Sequence, residues 1–163
     1  TSAAVAGVLS STLPDINMVS APTIARDKGI AITETKKDEH SAYESYIRIN
    51  LVSKKEKFSI GGTIFSDGQP RIVQINGINL EAGLMPNMLY VTNKDVPGLI
   101  GSLGNILGDE KINIASFNLG RKGPLKDAIA LIGVDKAVND NVIKEVEKLD
   151  SVVQVKSLNF NII

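Results

Sequence analysis

The stretch TNKDVPGLIGSLGNILGDEKINIASF, Thr92–Phe117, decides the fold of its half of the chain. Its first residues end the strand pattern NMLYVTN (Asn87–Asn93), and KDVPG (Lys94–Gly98) then opens a helix. We expect Asp95 to be the N-cap of this helix and Pro97 to lie in its first turn, since both residue types suit those positions. Apolar residues recur along the helix at Leu99, Ile100, Leu103, Ile106 and Leu107. This spacing is typical of a helix with one buried face.

The elements that follow extend this strand and helix into a regular order. The pattern indicates strands over Ile112–Arg121, Asp127–Val134 and Val152–Phe160, and a helix over Asn139–Leu149 that Asn139 caps. The resulting order, β-α-β-β-α-β, is the ferredoxin-like arrangement. We therefore expect a small α+β domain over residues 87–163.

Residues 1–84 form a second small α+β domain by the same criteria, a mixed sheet with one or two helices. Helices are expected over Ser2–Leu13 and over Thr23–Gly29, where Pro22 suits the first turn and Gly29 the end. Alternating or β-rich segments predict strands at Ile30–Lys36, Tyr43–Val52, Phe58–Phe65 and Arg71–Ile75.

Glycines add detail to this first domain. Gly61–Gly62 inside a strand predicts a bulge or a close approach of another backbone. Asn76–Gly77 is the strongest hairpin signal in the chain. NLEAGLMP (Asn79–Pro86) is interpreted as a connector, with the domain boundary near Ala82–Pro86.

The strand-to-helix turn after Asn93 also suggests a binding site. Unpaired N–H groups and the positive end of the helix dipole collect at the helix N-terminus and suit a carboxylate. Asn93 and Asp95 could accept hydrogen bonds from an ammonium group, and Asn113 could meet them once the helix has returned. Together these groups would form a receptor for a zwitterion, although Asp95 could be only a helix cap and both asparagines could bond their own backbone.

This half of the chain resembles the ACT domain, whose signature is an Asp/Asn-x-Pro-Gly turn before the first helix, here Asp95-Val96-Pro97-Gly98. The resemblance covers Asn87 to about Phe160. It implies that Asn93, Asp95 and Asn113 contact an amino-acid effector and that backbone amides near Gly98 and Leu99 take its carboxylate. Gly101 and Gly104 each cost roughly 1 kcal/mol inside a helix. Close packing of a partner chain, a ligand or a crossing strand would compensate for this cost.

The first half resembles the intervening domain of the longer form of D-3-phosphoglycerate dehydrogenase. The resemblance rests on INMVSAPTIARDKGIAITETK (Ile16–Lys36) and GGTIFSDGQPRIVQING (Gly61–Gly77). It implies a regulatory piece of an NAD-dependent enzyme that binds L-serine, or a similar small amino acid, where two ACT domains meet. Arg71 matches a basic residue implicated in anion binding on the intervening domain.

Composition excludes several other classes. Lys+Arg and Asp+Glu are equal at 18 each, so no net charge attracts nucleic acid or a membrane surface. The chain has no Cys and a single His, His40, which we expect to be solvated at the surface. The usual nucleophile and metal constellations therefore lack members, and we expect no catalytic residues, metal or cofactor in this chain, with NAD bound only by the parent enzyme. The absence of Cys, of a signal peptide and of a long apolar run fits a cytoplasmic protein.

The implied function is feedback control of the first committed step of L-serine biosynthesis, with self-association through ACT domains and contact with the parent's catalytic domains. The first residue, Thr1, suggests a piece of a longer protein. Two alternatives remain open. One is a structural oligomerisation module without an effector, and the other is the regulatory part of an iron–sulfur L-serine dehydratase.

Overall fold

The computed structural model describes residues 1–36, 43, 45–123 and 126–160. The chain forms two compact units, residues 1–40 and 41–163. The predicted surface position of His40 lies outside the described residues. No helix in the described ranges is long and apolar enough to cross a membrane.

The first unit contains two short helices, which confirms the two that the sequence predicts. Helix α1 spans Ser2–Ser10 and helix α2 spans Ala21–Asp27, with proline in its first turn. The two helices pack on each other through small buried side chains, since Ala21 and Ala25 are fully buried. Gly29 follows α2 with a φ of 71° and so turns the chain out of the helix.

The strand predicted over Ile30–Lys36 is wrong. These residues form no regular element, and no described strand pairs with them. Ile30 and Ile32 remain 44% and 40% exposed. Alternation of apolar residues indicates an extended segment with one apolar face, but a strand also needs a neighbouring ladder of hydrogen bonds.

The second unit begins with a four-stranded sheet in the order β1-β2-β3-β4. Its strands are Ile47–Val52 (β1), Lys57–Ile64 (β2), Pro70–Ile75 (β3) and Ile78–Gly83 (β4). Every neighbouring pair is antiparallel, so the predicted mixed sheet is wrong in that respect. The register shifts between Gly61 and Gly62, which confirms the predicted bulge.

The hairpin predicted at Asn76–Gly77 is confirmed, and it explains why the connector predicted over Asn79–Pro86 is wrong. Asn76 and Gly77 have φ values of 48° and 77°, the left-handed pair that a tight hairpin turn requires. The turn sends the chain back along β3, so Ile78–Gly83 becomes strand β4 instead of leaving the sheet.

The rest of this unit has the element order β-α-β-β-α-β, as predicted, and the whole chain is α+β. Its elements are β5 (Asn87–Lys94), α3 (Leu99–Asp109), β6 (Ile114–Arg121), β7 (Asp127–Val134), α4 (Asp140–Glu147) and β8 (Val152–Asn159). The strands form a second antiparallel sheet in the order β6-β7-β5-β8. Asn139 caps α4 as predicted, because its side chain accepts a hydrogen bond from the N–H of Val142 at 3.0 Å.

The second sheet is buried on both faces. One face packs on α3 and α4 through Leu89, Val91, Leu103, Leu107, Ile132, Val142 and Val146. The other face packs on the first sheet, where Met88, Tyr90, Ile129 and Leu131 meet Ile75, Ile78 and Ala82. Burial on both faces explains why β7 reads as a continuous apolar run.

Candidate functional site

The ends of β5 and β6 meet the beginning of α3 at one edge of the second sheet. Both strands run antiparallel to β7 and are therefore parallel to each other, so they end at the same edge. The chain leaves β5 at Lys94, crosses a short loop and enters α3 at Leu99. A pocket of about 300 Å³ opens here, lined by Asn93, Asp95, Val96, Pro97, Gly98, Leu99, Ile100, Gly101, Leu119 and Arg121.

Helix α3 presents an uncapped N-terminus to this pocket. Its N-cap is Gly98, with a left-handed φ of 102°, so the predicted N-cap role of Asp95 is wrong and Pro97 precedes the helix. No side chain caps the helix and no acidic residue lies in its first turn. The first N–H groups of a helix have no partner within it, and they lie at the positive end of its dipole. This end of the pocket therefore suits a carboxylate.

Asn93, the second-last residue of β5, contributes a buried hydrogen-bond acceptor to the lining of the pocket. The residue is only 3% exposed, and its Nδ2 donates a hydrogen bond to the carbonyl oxygen of Lys94 at 2.8 Å. Its Oδ1 is buried and has no hydrogen-bond partner among the described residues. A buried polar atom without a partner costs about 1–3 kcal/mol. A donor from a ligand would offset that cost.

Asp95 is held by a cation that the sequence analysis did not identify. Its Oδ2 accepts two hydrogen bonds from the guanidinium of Arg121, from Nε at 2.8 Å and from Nη2 at 2.6 Å. The Asp95 side chain is 12% exposed. The hydrogen bonds and the negative charge of Asp95 raise the pKa of Arg121 above its usual value. The second oxygen, Oδ1, makes no hydrogen bond within the described ranges.

Asn113 does not join the other predicted residues within one chain. It precedes β6, whereas Arg121 ends that strand beside Asp95. The two residues are eight positions apart, so at roughly 3.3 Å per residue their separation is about 26 Å. Asn113 is exposed, and its backbone N–H donates to Oδ1 of Asp135 at 3.0 Å. The expectation that it meets Asn93 and Asp95 after the helix returns is therefore wrong for a single chain.

Arg71 lies apart from this pocket, in β3 of the first sheet. Its guanidinium forms an ion pair with Asp67 at 2.8 Å and stacks over the ring of Phe65 at 5.4 Å. Both partners lie in or beside the turn from β2 to β3, so Arg71 stabilises that hairpin. The possible anion site at Arg71 stays a prediction.

Two members of the pocket, Leu119 and Arg121, were missed because they lie in β6, more than twenty residues after the signature turn. A signal for them does exist. The ferredoxin-like order makes the first two strands parallel, and residues that end parallel strands meet at one edge. The end of IASFNLGR (Ile114–Arg121) could therefore have been placed beside the end of β5.

The described residues form neither a three-residue metal cluster nor a dinucleotide-binding loop. They contain no group of three His, Cys, Asp or Glu side chains that could hold a metal ion. The glycines of GSLGNILG (Gly101–Gly108) lie within α3. A dinucleotide-binding loop needs such glycines in the turn between a strand and a helix, where the backbone amides are free.

Two family models match consecutive parts of the chain. The model of the D-3-phosphoglycerate dehydrogenase intervening domain matches residues 1–76. The model of the ACT domain matches residues 87–151. This range contains all five predicted effector-binding residues, of which four line the pocket and the fifth, Asn113, does not.

Curated relatives agree with these matches. D-3-phosphoglycerate dehydrogenase of Bacillus subtilis is 31% identical over 144 residues, which cover 88% of this chain and 27% of the relative. The enzyme of the same name from Methanocaldococcus jannaschii is 35% identical over 156 residues, 94% of this chain and 29% of the relative. The chain thus spans a little over a quarter of the length of these relatives. The match falls in their regulatory part and includes no catalytic domain.

Proposed function

Because this chain joins an intervening domain of the D-3-phosphoglycerate dehydrogenase family to an ACT domain, we propose that it binds a small amino acid and thereby regulates a dehydrogenase of this kind. L-serine is the expected ligand, because it is the end product of L-serine biosynthesis, whose first committed step this regulation would control. In this proposal the dehydrogenase activity and its NAD belong to the parent protein, and this chain and its parent are both cytoplasmic.

We also propose that the boundary between the intervening domain and the ACT domain lies between residues 84 and 87.

The observation that carries the proposal is that one pocket is lined both by Asn93, whose buried Oδ1 has no partner among the described residues, and by the uncapped N-terminus of α3. Within the described part of the chain the buried oxygen has no donor, and no side chain accepts a hydrogen bond from the first amides of α3. An α-amino acid supplies both missing groups, because its ammonium donates and its carboxylate accepts. A volume of about 300 Å³ is at the small end of ligand pockets and suits a molecule of this size.

A second copy of the chain would complete this site. Strand β6 is the edge strand of its sheet and, among the described strands, pairs only with β7. If two β6 strands pair antiparallel across a two-fold axis, the beginning of one strand lies beside the end of the other. The partner's Asn113 would then approach Arg121 and the pocket. This arrangement would reconcile the distant Asn113 with a role in effector binding.

The test is a calorimetric titration of the full chain with L-serine, with D-serine and glycine as controls. We expect saturable binding of the L-isomer, at about one per chain or one per pair of chains. Asp95→Ala and Asn113→Ala should each weaken binding about tenfold or more while the fold stays intact, because each removes a hydrogen bond to a charged group.

Matched controls lie outside the pocket. Asp127→Ala removes another carboxylate that is paired with a cation, Lys94 at 2.6 Å, and Asn50→Ala removes an exposed strand asparagine. Both variants should bind L-serine like the wild type. Normal binding by Asp95→Ala and Asn113→Ala would instead show that the site is elsewhere.

A purely structural module is the second candidate. The favouring observation is that Asp95 already has a cationic partner, so the carboxylate needs no ligand to satisfy it. Such a module would associate with increasing protein concentration and show neither heat nor thermal stabilisation with any amino acid. Ultracentrifugation with and without L-serine separates the two functions.

A further inference from the structure

We infer that Arg121 determines the charge class of the ligand, so that the pocket takes a zwitterionic α-amino acid in preference to a simple amine. This inference rests on the proposed function, since it specifies the ligand class of the same pocket.

The first step is the charge balance of the pocket. Among the described residues that line the pocket, only Asp95 and Arg121 carry charge. They form one ion pair in which the carboxylate is largely buried and the guanidinium is about half exposed. The pocket is therefore neutral as a whole, which suits a ligand with equal and opposite charges. Without Arg121 it would be a negative pocket, which favours a cationic amine.

The second step is the supply of free hydrogen-bonding atoms. Oδ1 of Asp95 and Oδ1 of Asn93 have no donor among the described residues, and both residues line the pocket, so these two oxygens are the acceptors available to an ammonium group. Arg121 uses Nε and Nη2 on Asp95, and its Nη1 makes no hydrogen bond in the described part of the chain. With the amides that begin α3, Nη1 provides donors for a carboxylate. Arg121 thus holds Asp95 in place and can also contact the ligand.

The third step is a comparison within the chain. Arg71 and Asp67 form an ion pair at 2.8 Å, similar in length to that of Arg121 and Asp95. Neither residue lines the pocket, and their pair closes a hairpin turn. A role in ligand choice therefore belongs to Arg121 alone, and Arg71→Gln is a matched control for the loss of an arginine–aspartate pair.

The experiment compares L-serine with ethanolamine, which keeps the ammonium and the hydroxymethyl group but lacks the carboxylate. Dissociation constants are measured by calorimetry on the full chain for wild type, Arg121→Gln, Arg121→Lys and Arg71→Gln, with circular dichroism to monitor folding. We expect the wild type and Arg71→Gln to prefer L-serine. Arg121→Gln should lose about 10–100-fold in the ratio of the two affinities, as for a hydrogen bond to a charged group. Arg121→Lys keeps the charge and should keep most of the preference.

Each outcome is decisive. An unchanged ratio in Arg121→Gln overturns the inference and leaves the proposed function standing. If Arg121→Gln does not fold, Arg121→Met takes its place, since it also removes the charge: a loss of the preference for L-serine supports the inference, and a preference like that of the wild type overturns it. A wild type that binds no amino acid overturns both the proposed function and the inference.

Discussion

At the scale of single residues, Asn93 shows a conflict between stability and binding. Its amide oxygen is buried and has no partner in the part of the chain that the structure describes, and the residue itself lines the pocket. We predict that Asn93→Val changes the free energy of unfolding of the ligand-free chain by less than about 1 kcal/mol, because removal of the orphaned acceptor offsets the loss of the hydrogen bond from Nδ2 to the Lys94 carbonyl. The same variant should lose amino-acid binding. Urea denaturation and the titration described above measure the two effects.

Asn118→Val is the matched control for this variant. Asn118 also lies on a strand of the second sheet and is partly buried, and its Nδ2, like that of Asn93, donates to a backbone carbonyl, that of Leu131 at 3.3 Å, but its Oδ1 is not a buried atom without a partner. Its replacement should lower the free energy of unfolding. Equal destabilisation by the two variants would mean that Oδ1 of Asn93 has a partner in solution, such as water.

Tyr90 is expected to lower the free energy of unfolding as the pH becomes alkaline. Its ring lies in the apolar layer between the two sheets, and burial raises the pKa of its hydroxyl above the usual value. The raised pKa means that the folded state favours the neutral hydroxyl. Its contribution to stability is therefore complete below a pH of about 10, the pKa of an unfolded tyrosine, and is lost as the pH rises through the folded-state pKa.

Tyr90→Phe tests this dependence. The free energy of unfolding of the wild type should fall relative to that of Tyr90→Phe as the pH increases from 8 to about 11. Chemical denaturation of both proteins across that range gives the difference directly. A difference that stays constant with pH would place the hydroxyl in water in the folded state.

At the scale of secondary-structure elements, the glycines of α3 divide into two kinds. Gly98 begins the helix at a φ of 102°, which L-residues rarely adopt. Gly101, Gly104 and Gly108 lie on one side of the helix, and a β carbon at any of them would meet no atom within 4 Å. No crossing strand of the described chain therefore explains these three glycines.

We predict opposite effects of alanine at the two kinds of position. Gly98→Ala should lower the free energy of unfolding by about 1–2 kcal/mol, because its left-handed conformation becomes strained. Gly108→Ala should raise it by about 0.5–1 kcal/mol, because alanine favours the helix and has room. Thermal and urea denaturation of the dilute chain measure both changes. Stabilisation by Gly98→Ala would mean that the turn before α3 can change its conformation.

The open glycine side of α3 also bears on self-association. Gly104→Ala should stabilise a dilute chain in the same way as Gly108→Ala. If a partner helix approaches this side, the added methyl group should at the same time weaken association. Sedimentation at several protein concentrations distinguishes this case from a glycine side that contacts only water.

At the scale of the whole second unit, the two sheets share one apolar layer and approach very closely at one point. A β carbon on Gly120 would lie 2.6 Å from the carbonyl oxygen of Asn79 and 2.8 Å from Cγ2 of Ile78. We predict that Gly120→Ala lowers the free energy of unfolding by about 1–3 kcal/mol, as expected for overpacking against a backbone. Hydrogen exchange should show the loss of protection in β4 and β6 together.

Gly133→Ala is the comparison. Its β carbon would meet the side chains of Met85 and Ser116 instead of a backbone atom. The methionine can change rotamer, so the loss in the free energy of unfolding should be smaller than for Gly120→Ala.

The hydrogen-exchange result for Gly120→Ala has one contradicting outcome. If β4 and β6 lost protection against exchange independently, the two sheets would not unfold as one unit.

The sequence by itself determined the features that depend on neighbouring residues. The apolar stripe of α3, the cap at Asn139 and the hairpin at Asn76–Gly77 each arise from interactions within a few positions of the chain. The order β-α-β-β-α-β followed from the same local signals. The residues of a local interaction are close together in the sequence, so periodicity, capping residues and turn residues are enough to predict it.

Only the tertiary structure decided the features that depend on distant residues. Ile78–Gly83 is a strand because β3 and the second sheet lie beside it, and Ile30–Lys36 is not a strand because no ladder faces it. Arg121 forms an ion pair with Asp95 in the pocket, whereas Asn113 does not contact Asp95 in the same chain. Arg121 ends β6 and Asn113 precedes its first residue, so the length of the strand separates the two residues. A contact between residues far apart in the chain has no local signature, because its free energy arises only after the sheet has formed.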